Sequence, residues 1–68
     1  MVPVISSTLE AVGYDPATSE LHISFKGGRQ YAYFGVPSSV HVALMNAWSK
    51  GAYFYYAIRF RYRSERVQ

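Results

Sequence analysis

Tyr31 and Tyr33, two residues apart, and the alternating arginines Arg59, Arg61 and Arg63 are the residues whose types and spacing best suit chemistry. That chemistry is recognition rather than bond making. Aromatic rings stack bases, and Arg or Lys neutralises phosphate. Lys26, Arg29 and Lys50 extend the cationic set, and Tyr55-Tyr56 adds a second aromatic pair. Catalysis finds little support. His22 and His41 fall on different predicted elements, and Glu10, Asp15, Glu20 and Glu65 lie in turns or on polar faces, so no acid/base pair emerges. The serines resemble turn and cap residues, with no nucleophile-elbow pattern around them. Two histidines without cysteine or a nearby acid are poor metal ligands, so no catalytic residue, metal or cofactor is expected. Lys26-Gly27-Gly28-Arg29 lacks the spacing of a phosphate loop and joins two strands instead of opening a helix.

The elements that position these residues follow from periodicity. Leu21, Ile23 and Phe25 alternate with polar neighbours, which predicts a strand with one buried face. Gly27-Gly28 suits a tight hairpin turn, and Arg29 to Phe34 has the aromatic content of a return strand. Thr8 to Tyr14 predicts an earlier strand, closed by the turn at Asp15-Pro16. Leu9 and Val12 cannot both face inward at strict period two, which points to a bulge near Ala11 or Gly13. If the loop is Gly27-Gly28 alone, Ser24 faces Tyr31 and His22 faces Tyr33 on the polar side. That register is favoured here. A three-residue loop would slip it by one and send both tyrosines into the core.

Pro37 suits a helix start, and Val40, Ala43, Leu44 and Ala47 then form one apolar stripe. Ser49 is a cap for a second, short helix over Lys50–Ala57, and Trp48 between the helices is expected to be packed. Beyond it, Ile58, Phe60 and Tyr62 alternate with the three arginines, which reads as an extended basic segment and a candidate fourth strand. The expected fold is therefore α+β: a three-stranded antiparallel meander, one longer and one short helix, and an extended basic C-terminal segment.

Length and composition limit the rest. The chain has 68 residues, with seven Tyr, four Phe and one Trp, no cysteine and a formal net charge of +3. A chain this short buries only about 60% of its unfolded surface, so the core has first claim on its aromatics. Disulfides and thiolate metal sites are excluded, and no apolar run reaches the length of a membrane span. The start, MVPVISSTLE, argues against a signal peptide, and a cytoplasmic domain is expected. The charge is uneven. Lys50, Arg59, Arg61, Arg63 and Arg66 face a single acid, Glu65, after residue 49, which favours anionic partners. A solvated basic edge is the plainer alternative.

An ordered set of short pieces resembles the KTSC family. They are Ser6-Ser7, Val12-Gly13-Tyr14-Asp15, Phe25 followed by Gly28, Tyr31-Ala32-Tyr33, Val36-Pro37, Ala47, Ser49-Lys50-Gly51, and Ile58-Arg59 with Tyr62. The resemblance covers roughly residues 4–62 and implies one domain over 1–68, with residues 63–68 expected to fray. It is similar to domains found alone in bacterial and phage proteins and at the C-terminus of some lysyl-tRNA synthetases. The resemblance implies a non-enzymatic domain for which RNA binding is the usual suggestion. Gln30 departs from the more usual apolar residue, and Tyr55-Tyr56 replaces a more polar stretch. The leading expectation is RNA or other nucleic-acid binding by Tyr31, Tyr33, Lys26, Arg29, Lys50, Arg59, Arg61 and Arg63. The alternatives are oligomeric capture of an anionic nucleotide, and contact with a protein partner or a second copy through Tyr55 and Tyr56.

Overall fold

Leu21 and Ile23 are fully buried while His22 and Ser24, which alternate with them, are half-exposed, the alternation of a strand with one face on the core. The computed structural model describes all 68 residues. Five antiparallel strands lie in sequential order in one sheet: β1 (Val2–Pro3), β2 (Leu9–Asp15), β3 (Glu20–Phe25), β4 (Gln30–Tyr33) and β5 (Ser64–Arg66). Helices α1 (Ser38–Asn46) and α2 (Lys50–Ala57) follow β4 and contribute Leu44 and Phe54 to the core on one face of the sheet. The class is α+β, with two strands more than the expected meander. The register of β2 against β3 shifts between Leu9 and Ala11, so a bulge lets Leu9 and Val12 share the buried face.

The β3–β4 hairpin has the slipped register, contrary to the favoured two-residue turn. Ile23 pairs with Tyr31 and Leu21 with Tyr33. Phe25 N–H bonds the Arg29 carbonyl at 2.8 Å and Gly28 N–H bonds the Phe25 carbonyl at 3.1 Å. Lys26, Gly27 and Gly28 therefore make a three-residue loop, with φ of +103° and +93° at the two glycines. The slip turns Tyr31 and Tyr33 toward the helices, and Tyr33 retains only 4% exposure. A small core recruits the largest apolar groups within reach, and two rings outweigh the alternative, in which Ala32 and the single ring of Phe34 would face it.

Three further expectations change. Residues 58–62 are turn, not strand. Ile58 is fully buried beneath α2, and Arg59 N–H bonds the Phe54 carbonyl at 2.9 Å, which folds the chain back. The strand comes later, at Ser64–Arg66, inside the segment expected to fray. It is tied down by pairing with β4, and Val67 N–H bonds the Gln30 carbonyl at 2.8 Å while Gln30 N–H bonds that of Gln68 at 2.9 Å. Trp48 is fully exposed instead of packed. Leu44, Phe54 and Ile58 already fill the space beneath the helices, and the extended Ala47 carries the chain away from α1.

Local chemistry fixes the helices. Ser49 Oγ accepts from Ala52 N–H at 3.3 Å and caps α2 as expected, whereas Pro37 precedes α1 without a side-chain cap. Tyr14 Oη donates to the Val36 carbonyl at 2.6 Å and stacks on His41 at 4.7 Å between centroids, which ties α1 to β2. No helix is long and apolar enough to cross a membrane.

Candidate functional site

The slipped hairpin places four rings in one continuous cluster beneath the start of α2. Phe25 meets Tyr31 edge to face at 5.9 Å and Phe54 at 5.3 Å. Tyr33 meets Phe54 at 5.4 Å and lies 6.4 Å from Tyr31. These rings floor a groove of about 550 Å³. Its rim is formed by Arg29 at the hairpin, Tyr55 on α2, Arg59 and Phe60 in the following turn, and the hydroxyls of Thr8 and Ser64.

Backbone features bring the rim together. Ser6 Oγ accepts from both Thr8 N–H and Leu9 N–H at 3.1 Å, holding Thr8 beside Gly51. A Cβ on Gly51 would lie 3.1 Å from Thr8 Oγ1, so any larger residue at the start of α2 presses on the Thr8 side chain. At the other end, the Phe54 carbonyl accepts from both Ile58 and Arg59 N–H, which closes α2 and sets Arg59 over the groove. The Arg59 guanidinium then lies 5.3 Å from the Tyr55 ring centroid and 4.9 Å from that of Phe60. Tyr55 and Phe60 themselves meet edge to face at 6.0 Å, so the cation sits in the corner between two perpendicular rings.

The electrostatics are one-sided. His22 Nε2 and Glu20 Oε1 lie 3.2 Å apart, and no arginine or lysine is paired with an aspartate or glutamate. Burial pushes the Tyr33 phenol up to about 12, the neighbouring Tyr31 pushes the same way, and Arg59 counteracts them. Tyr33 consequently stays an O–H group through the physiological range. No histidine or carboxylate lines the groove.

The expected site residues divide clearly. Tyr31, Tyr33, Arg29 and Arg59 converge on this groove, and Tyr55 joins them. Arg61 and Tyr56 line a second groove of about 340 Å³ between the helices. Lys26 stands in the hairpin loop outside both. Lys50 is engaged elsewhere, its Nζ donating to the Ala47 carbonyl at 3.2 Å and closing the end of α1. Arg63 covers the Phe34 ring at 5.4 Å. Tyr31 and Tyr33 are not an open platform on the polar face; they are core rings whose edges reach a groove on the helix side. Thr8 and Ser64 were missed because a lone hydroxyl before a strand carries no local signal, and Phe60 because an extended reading put it on the apolar side.

Known proteins resemble this chain along nearly its whole length. A family profile described as the KTSC domain matches residues 5–62. A protein of Tsukamurella paurometabola is 42% identical over 64 residues, covering 94% of this chain and 96% of that protein. A lysine–tRNA ligase of Nostoc sp. is 39% identical over 61 residues, or 90% of this chain but only 11% of the ligase. The crystal structure of a KTSC domain protein from Yersinia pestis superposes with a TM-score of 0.92 at 37% identity, covering 97% of this chain and 93% of that one. With its fold, its length and its ordered motifs all matched, the chain belongs to the KTSC domain family.

Proposed function

We propose that the groove binds single-stranded RNA, an unpaired base stacking on one rim ring, Tyr55 or Phe60, while Arg29 and Arg59 engage phosphates. The observation that carries this reading is the Arg59 guanidinium held over Tyr55 and Phe60 at the mouth of a 550 Å³ aromatic groove, with no carboxylate to neutralise it. Stacking is worth about 1–3 kcal/mol per base and is tolerant of sequence. Relatives named for ligating lysine to a tRNA contain a segment like this chain, which supports an RNA ligand. The groove linings are aromatic and cationic, a composition that supports binding of an anionic, base-bearing ligand.

Fluorescence anisotropy with a labelled single-stranded oligonucleotide at low salt tests the proposal. Saturable binding that weakens as salt rises is expected, and its absence at low salt refutes it. A second reading, capture of a free anionic nucleotide, is favoured by the groove volume, which falls within the roughly 300–1,000 Å³ of small-molecule pockets. Calorimetry against a nucleotide panel separates the two. A third, contact with a protein or a second copy, draws on the full exposure of Trp48, and sizing of the Trp48→Ala variant tests it.

A further inference from the structure

The second groove repeats the chemistry of the first on the other flank of α2. Val40 and Ala57 give it an apolar base, Tyr53, Tyr56 and Tyr62 give it aromatic walls, and Arg61 gives it one cation. Each groove therefore combines a tyrosine from the exposed ridge of α2 with an arginine from the turn that follows. Tyr55 and Arg59 serve the first, and Tyr56 and Arg61 the second. The ridge is continuous, because the Tyr55 and Tyr56 rings meet edge to face at 5.4 Å. Both are exposed, Tyr56 at 78%, and Arg61 is exposed without an acidic partner.

We propose that this second groove is a base-stacking subsite for the same strand, so that the ligand is a short single strand lying across α2 with a base in each groove. The inference rests on the RNA-binding reading of the first groove. A helix with its side chains is about 10–12 Å across, too wide for one nucleotide to fill both flanks. A strand of roughly 4 nucleotides, the low end of the range for compact single-strand modules, can span it. The Tyr55–Tyr56 ridge then contacts the intervening residues, and Arg59 and Arg61 take phosphates on the two sides.

Length and substitution together provide the test, using uridine monophosphate and oligouridylates of increasing length with the full chain. Affinity should rise by more than tenfold between the monophosphate and a tetranucleotide and level off thereafter. Tyr56→Ala and Arg61→Ala each remove an exposed side chain, so the fold is expected to survive, as circular dichroism would verify. Each should weaken the tetranucleotide by about tenfold, in the range of one lost stack, and leave the monophosphate unchanged. Affinity that is flat with length, or a tetranucleotide insensitive to both variants yet sensitive to Arg59→Ala, would overturn the second subsite and leave the first groove standing. Absence of binding at every length would overturn the RNA reading itself.

Discussion

Removing one guanidinium is the most direct way to test how the groove attracts its ligand. Three arginines border the two grooves: Arg29 and Arg59 in the first and Arg61 in the second. If each neutralises one phosphate, the logarithm of affinity should fall with the logarithm of salt at a slope of about −2.1 for a single strand. Raising salt from about 50 to about 200 mM should then weaken wild-type binding about 18-fold. Arg59→Ala leaves two such contacts, a slope of about −1.4, and a loss of about 7-fold over the same interval. Arg59→Lys keeps the charge and the slope, but gives up the guanidinium contact with the Tyr55 and Phe60 rings, so affinity drops by a similar factor at every salt concentration. Anisotropy titrations of the three proteins measure all of this. An Arg59→Ala protein that binds more weakly with an unchanged slope would show that Arg59 acts by packing the rim, and the phosphate assignment would fall.

Other expectations follow from the same geometry. Tyr33 titrates at about 12 in the fold against 10.0 as the ordinary value, so the folded chain holds a proton that the unfolded chain loses first. Its stabilisation is complete below pH 10 and disappears between pH 10 and 12. Two full units would carry about 2.7 kcal/mol, and with the groove open to solvent about 1–2 kcal/mol is expected. Urea midpoints across that range should fall less in Tyr33→Phe than in wild type, and an equal fall would discount the assignment. Arg59→Ala should push the Tyr33 phenol higher still, which ultraviolet titration against Tyr33→Phe can follow. Trp48 is the only tryptophan and is fully exposed, so its emission should be solvent-like and freely quenched in the folded protein. Trp48→Ala should alter stability by less than about 0.5 kcal/mol. Leu44→Ala, which empties a fully buried position, should cost about 2–5 kcal/mol by urea unfolding. Gly51→Val crowds Thr8 and should lower stability by about 1–3 kcal/mol, with an unchanged midpoint refuting the close approach.

Strand existence was legible because alternation at Leu21, Ile23 and Phe25 has one physical meaning, a single buried face. The bulge at Leu9–Ala11 was legible for the same reason, since two apolar residues three apart cannot share a face otherwise. The β3–β4 register was not. Gly27-Gly28 fits a two-residue turn as well as the end of a three-residue loop, and the choice is made by which rings the core can use. That information lies in Leu44, Phe54 and Ile58, far along the chain. The arginine alternation misled in a related way. Period two at residues 58–63 describes an extended strand only if nothing requires Ile58 beneath a helix, and the α2 closure requires it. β1 and β5, two and three residues long, are too short to leave a periodic trace.

The aromatic residues divide between core and groove by depth. Phe54 and Tyr33 are buried, Tyr31 and Phe25 are half-buried, and Tyr55 and Phe60 are largely exposed, yet all six line one groove. In a chain of 68 residues the deep rings cannot be spared for a ligand, because each contributes on the order of 1.5–3 kcal/mol through burial. The Tyr31 and Tyr33 pair thus anchors β4 and shapes the floor, while the proposed ligand would meet its edges and the rim. A loss of binding on changing Tyr33 would therefore report folding and recognition together, whereas Tyr55, Arg59 and Phe60 report recognition alone. The turn after α2 divides in the same way: Ile58 is buried and belongs to the core, while Arg59 and Phe60 are exposed beside the groove, at positions where substitution should leave the fold intact.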